Sequence, residues 1–223
     1  MMTNRDIFEY KAVFFDLDGT LIDSARDLGY AIDEMSVQMG IKKPGLPNVK
    51  LWIGNGTLKL VERALFYSTN TKPDEKLLNQ AFHIFTKIYR ECVGEHSSLF
   101  DGTQKLLVKL LSKNIKIACI TNKPLEFTEF LLQQNMISQF FSVICSGDNV
   151  KHRKPHAWPL LYASKILEVE ISSCLMIGDS ENDIEAANNA GCDVLAVSYG
   201  YNQGRDINAL KPNMVIDSFN QLL

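Results

Sequence analysis

The chain has 223 residues, of which 46% are hydrophobic and 22% charged, and a formal net charge of -3. That length suits one large domain or one domain with an insertion, and the mild charge gives no electrostatic case for nucleic acid or an anionic membrane as main partner. The opening Met1-Met2-Thr3-Asn4-Arg5-Asp6 lacks the apolar stretch of a secretory signal, and no apolar run reaches the roughly 18 residues of a membrane span, so a soluble cytoplasmic protein is expected.

The first element is an apolar run, Ala12-Val13-Phe14-Phe15, that leads into Asp16-Leu17-Asp18-Gly19-Thr20. It reads as a buried strand followed by a tight loop. Two carboxylates two residues apart in such a loop can serve one substrate. Asp16 can attack phosphorus, and Asp18 can protonate the leaving oxygen and then activate water. Carboxylate and carbonyl oxygens also suit magnesium. A plain strand-end turn is the competing reading.

From about residue 24 to 96 no strand series follows. Leu28 to Met39 and Pro73 to Cys92 read as amphipathic helices, with Leu77, Leu78, Ala81, Phe82, Phe85 and Ile88 on one face of the second. Between them, Pro44-Gly45-Leu46-Pro47 reads as a loop, and a further helix starts near Gly56. Residues 24–96 are therefore expected to form a helical cap over the site, with 1–23 and 97–223 forming the core. The start of the helix after Gly54-Asn55-Gly56-Thr57 offers free N–H groups, which makes Asn55, Gly56 and Arg63 candidates for binding an anionic part of the substrate. A glycine turn with an Asn55 or Thr57 cap explains the same residues.

Strands and helices then alternate. Apolar runs at Ile115–Ile120, Phe141–Ile144, Cys174–Ile177, Val194–Val197 and Met214–Ile216 read as strands, with helical patterns at Thr103–Leu111, Glu126–Leu132, Pro159–Leu167 and Glu181–Ala190 between them. The pattern predicts a Rossmann-like, doubly wound α/β core, in which ligands bind beyond the carboxyl ends of the strands. Those ends carry Asp16, Thr121, Asp148 and Asp179. Thr121-Asn122-Lys123-Pro124 can hold a phosphate oxygen. Lys154 can offset repulsion between an attacking carboxylate and a phosphate dianion. Asp179 and Asp183, four residues apart, can turn toward one cation, or Asp183 can hold Lys154. His152 and His156 flank Pro155, which argues against a helical zinc pair. The five cysteines are odd in number and form no CxxC pair; Cys119, Cys145 and Cys174, in or beside apolar runs, are expected to be buried and inert.

These residues, in this order, resemble the haloacid dehalogenase superfamily of phosphohydrolases from Phe14 to about Gly204. The resemblance implies a Rossmann-like core, an inserted helical cap and Mg2+. It makes Asp16 the nucleophile and Asp18 the acid/base. Asp16, the Asp18 carbonyl and Asp179 match its metal ligands, and Thr121 and Lys154 its phosphate-binding positions. Within the superfamily, Asp23-Ser24, Trp52 to Gly56, Thr121 to Pro124, Gly178 to Gly191 and Tyr199 to Asn202 are similar to bacterial phosphoglycolate phosphatases. Ala25-Arg26 and His156-Ala157-Trp158-Pro159 depart from that pattern without touching a catalytic group. The implied substrate is a small phosphate ester, 2-phosphoglycolate, acted on by a monomer or homodimer. A sugar phosphomutase, pyrophosphatase or nucleotidase shares the core pattern, and a non-catalytic phosphate-binding module is the reading from a different class.

Overall fold

A computed structural model describes residues 6–223. Strand β1 (Ala12–Phe15) runs into a turn and then into the short β2 (Ile22–Asp23). Four helices follow: α1 (Ala25–Gln38), α2 (Leu46–Lys50), α3 (Thr57–Thr69) and α4 (Glu75–Cys92). Strand β3 (Ser98–Leu99) then returns antiparallel to β2, so a two-stranded ribbon closes the base of the helical segment. The remaining chain alternates: α5 (Thr103–Ser112), β4 (Lys116–Ile120), α6 (Leu125–Gln134), β5 (Val143–Cys145), α7 (Trp158–Ile166), β6 (Cys174–Gly178), α8 (Glu181–Ala190), β7 (Asp193–Val197) and β8 (Met214–Ile216).

The six long-range strands form one parallel sheet in the order β5-β4-β1-β6-β7-β8. Side chains alternate between its faces. Val13, Phe15, Ile117, Cys119, Leu175, Ile177, Leu195 and Val197 enter one core with Leu106 and Leu107 of α5 and Leu131 of α6. Phe14, Ala118, Ile120, Met176, Val194 and Ala196 enter the other with Leu160 and Ala163 of α7 and Ile184 and Ala187 of α8. Both faces are covered, which explains the continuous apolar runs. The first core extends without a break into the helical segment through Leu28, Ile32 and Met35 of α1, Leu60 and Val61 of α3, and Phe85 and Tyr89 of α4. All five cysteines are free and buried.

Connections from β1 lead to β4 and β5 on one side, while β6, β7 and β8 lie on the other. The winding direction reverses between β1 and β6, so their carboxyl ends, with Asp16 and Asp179 just beyond, meet at the crevice of the sheet. No helix among the described residues is long and apolar enough to cross a membrane.

Candidate active site

Asp16 directly follows β1, and its backbone N–H donates to the Ile177 carbonyl at 2.9 Å, which ties it to the end of β6. The chain then turns sharply. Gly19 has φ of +88°, and a Cβ there would lie 2.2 Å from Asp179 Oδ2. A Cβ on Gly200, in the loop after β7, would meet the Asp179 Cβ at 2.1 Å. The two glycines therefore let two loops close on the Asp179 side chain from both sides.

Lys154 stands at the centre of the charges. Its Nζ lies 2.8 Å from Asp16 Oδ1 and 2.5 Å from Asp183 Oδ1. Asp183 is held in turn: Ser180 N and Ser180 Oγ donate to its Oδ2 at 3.1 and 2.7 Å. Burial pushes the Lys154 ammonium toward a lower pKa, but the Asp16 and Asp183 carboxylates outweigh it and hold it above its ordinary value. Burial raises the Asp16 carboxyl to about 7, against the lowering effect of Lys154 and with help from the charges of Asp183 and Asp18.

One carboxylate oxygen from each of Asp16, Asp179 and Asp183 lies within 4.8 Å of the others. Burial, then the charges of Asp16 and Asp183, drive the Asp179 carboxyl well above its ordinary pKa, although the Tyr201 N–H donates to Oδ2 at 2.6 Å. Three buried carboxylates facing one another fit a hard, oxygen-seeking cation. The trio includes Asp183, which the resemblance did not count among the ligands.

Asp18 is held differently. Ser24 Oγ donates to its Oδ1 at 2.5 Å, and Lys123 Nζ lies 3.0 and 3.1 Å from Oδ1 and Oδ2. Thr121 is buried beside them, and its Oγ1 accepts from Lys123 N at 3.2 Å. The Asn122 side-chain amide donates to the Gly54 and Lys154 carbonyls, each at 3.0 Å, which joins the loop before α3 to the loop carrying Lys154; its Oδ1 is buried without a hydrogen-bond partner among the described residues.

A cavity lined by Asp16, Asp18, Thr121, Asn122 and Lys123 on one side and by Leu28, Ile53, Gly54, Gly56, Thr57 and Leu60 on the other leaves about 20 Å³ open to water. Of the residues expected to set specificity, Gly56 borders this cavity and Asn55 and Arg63 do not. The Arg63 guanidinium donates to the Trp52 carbonyl at 2.6 Å and to Asn55 Oδ1 at 2.8 Å, and its side chain borders a separate outer cleft. Asn55 also meets Asn182 and Gln203. Asp148 lies outside the site, where its Oδ1 accepts from Leu125 N at the start of α6.

Sequence reasoning assigned no task to Lys123, Ser24 or Tyr201. Tyr201 Oη accepts from Ser24 N and Ala25 N at 2.9 and 3.0 Å and donates to Asp23 Oδ1 at 2.7 Å. One residue thus joins Asp179 to the start of α1. The only signal for Lys123 was its place beside Thr121 in a strand-end turn.

Four carboxylates and two ammonium groups gather beyond the carboxyl ends of the central strands, and burying most of them costs free energy, which favours a functional role over a structural one. Such a set suits metal-assisted phosphoryl transfer at the carboxyl ends of an α/β sheet. Residues 13–197 match the family model described as haloacid dehalogenase-like hydrolase, and the chain belongs to that family. A phosphoglycolate phosphatase of Thiobacillus denitrificans is 41% identical over 208 residues, covering 93% of this chain and 92% of that one. Another, of Colwellia psychrerythraea, is 40% identical over 217 residues, covering 96% of each. The crystal structure of a predicted phosphoglycolate phosphatase from Haemophilus somnus 129pt superposes with a TM-score of 0.91 at 30% identity, again covering 96% of each chain.

Proposed function

We propose that this chain hydrolyses 2-phosphoglycolate to glycolate and phosphate in a Mg2+-dependent reaction through an aspartyl-phosphate on Asp16. The observation that carries this reading is the contact of Lys154 with both Asp16 and Asp183, which places a fixed cation beside the attacking carboxylate. The names of the relatives support the substrate.

Asp16, at the end of a rigid strand, is aimed by the sheet and attacks phosphorus as a carboxylate. Lys154 reduces its repulsion with the phosphate dianion, and Asp183 holds Lys154 in place. Thr121 offers its hydroxyl to a phosphate oxygen. Asp18 gives a proton to the departing glycolate oxygen, then takes one from the water that attacks the aspartyl-phosphate. Asp16, Asp179, Asp183 and the Asp18 carbonyl are the groups that would hold Mg2+, which when bound neutralises charge developing on the phosphoryl oxygens. Residues 24–96 act as the cap, and the small cavity beneath them favours a small leaving group.

The test is phosphate release from a panel of small esters with and without Mg2+. Preferred, Mg2+-dependent hydrolysis of 2-phosphoglycolate is expected. Turnover of other esters with none of 2-phosphoglycolate overturns the substrate, and turnover undiminished by chelator overturns the metal.

A further inference from the structure

The reaction just described leaves one buried charge at the site, that of Lys123, without a task. The Lys123 side chain is 1% exposed, and apart from both oxygens of Asp18 its Nζ meets Tyr89 Oη, at 2.8 Å. Tyr89 comes from α4 in the helical segment. Its ring is fixed between Phe85 and Phe127, at centroid distances of 5.4 and 4.7 Å. Burial, then the charge of Asp18, pushes the Tyr89 phenol well above its ordinary pKa, so it contributes a neutral hydroxyl.

The two site lysines are therefore not equivalent. Lys154 is compensated by two carboxylates, Asp16 and Asp183. Lys123 is compensated by one, Asp18, and borders the cavity, while Lys154 does not. The cavity wall facing it is apolar (Leu28, Ile53 and Leu60) apart from the first turn of α3. Because Asp18 serves the leaving oxygen, an ammonium paired with Asp18 lies on the leaving-group side. A buried ammonium with a single carboxylate partner favours a ligand that brings a second negative charge. Its three donors allow it to keep Tyr89 and Asp18 while turning one N–H to that ligand.

We infer that Lys123 is the specificity-determining residue that binds the anionic end of the leaving group, which for glycolate is its carboxylate. This rests on the 2-phosphoglycolate reading. It moves leaving-group recognition from Asn55 and Arg63, which do not line the cavity, to a lysine in the loop after β4. Tyr89 acts as a positioning residue that couples this lysine to α4.

The experiment compares kcat/KM for 2-phosphoglycolate with that for 2-hydroxyethyl phosphate, which replaces the carboxylate by a neutral alcohol of similar size. In the wild type the carboxylate ester should be preferred by about 100-fold or more. Lys123→Met should reduce that preference at least about tenfold, mainly through KM for 2-phosphoglycolate. Lys123→Gln, which keeps a polar group at the position, is read by the same ratio if the methionine variant is too unstable to assay. Tyr89→Phe should shift the ratio in the same direction by a smaller factor. A role confined to supporting Asp18 would slow both substrates equally and leave the ratio unchanged, which would overturn the inference while leaving the substrate assignment intact. A wild type without preference for the carboxylate ester would overturn both.

Discussion

The Nζ of Lys154 lies 2.8 Å from Oδ1 of Asp16, with the two side chains only 2% and 7% exposed. The contact sets the charge balance of the whole site, because the same ammonium also neutralises Asp183. Lys154→Met should lower kcat/KM about 100- to 1,000-fold. It should also destabilise the metal-free protein by about 3–5 kcal/mol, since two buried carboxylates lose their partner. Added Mg2+ should recover part of that stability, read as Tm, without recovering the rate. A variant with wild-type Tm in chelator would contradict the buried pairing.

Asp16→Asn removes the proposed nucleophile while preserving shape, and turnover should fall below detection with an unchanged circular-dichroism spectrum. Asp18→Asn keeps a nucleophile but no proton to give, so glycolate release and phosphate release should both slow, by about 100- to 10,000-fold. Rapid-quench measurement of the two products separates the half-reactions. An unchanged rate in the Asp18 variant would remove its acid/base role.

Burial raises the Asp16 carboxyl from 3.8 to about 7. Between those values the folded, metal-free protein retains a proton that the unfolded chain gives up. Stability from this group is thus highest in acid and falls as pH rises toward 7. A bound cation favours the ionised form and reverses the trend. The Tm increase produced by Mg2+ should therefore grow from about pH 5 to about pH 8, with protons released on binding at the acid end. A Tm increase that is the same at every pH would count against Asp16 as a ligand.

Asp27, in the first turn of α1, holds the chain that leaves α4 at the base of the helical segment. This fully buried carboxylate accepts from Gly94 N and His96 N, both at 2.9 Å, and from Ser97 Oγ at 2.5 Å. Asp27→Ala leaves those donors without an acceptor and should cost about 3 kcal/mol, a fall in Tm of about 6–12 °C. A thermal melt that matches the wild type would show that the chain leaving α4 does not depend on this anchor.

Much of this was legible in the sequence where one physical cause dominates. Strand β8 coincides with its apolar run, and α8 ends at Gly191 with φ of +82°, as a C-cap glycine should. Asp16, Thr121, Lys154 and Asp179 each lie at a strand end or in the loop beyond it, where doubly wound sheets gather their chemistry. Other features had no local signal. The ribbon of β2 and β3 pairs Ile22 with Leu99 across the whole helical segment, and two residues per strand leave no periodicity to read. Helix α2 occupies what reads as a Pro-Gly loop, because Pro47 near its start is compatible with a first turn. The Lys123–Asp18 pair joins residues 105 apart, and Arg63 donates to the Trp52 carbonyl and Asn55 and does not line the cavity. Tertiary contacts of this kind leave no trace in spacing.

Attack by Asp16 followed by attack of water makes two in-line displacements at phosphorus, whereas direct attack by water makes one. The most direct measurement is the stereochemical course at phosphorus, using 2-phosphoglycolate made chiral with oxygen isotopes and the protein loaded with Mg2+. Retention of configuration is the expected result. Inversion would contradict an aspartyl-phosphate on Asp16.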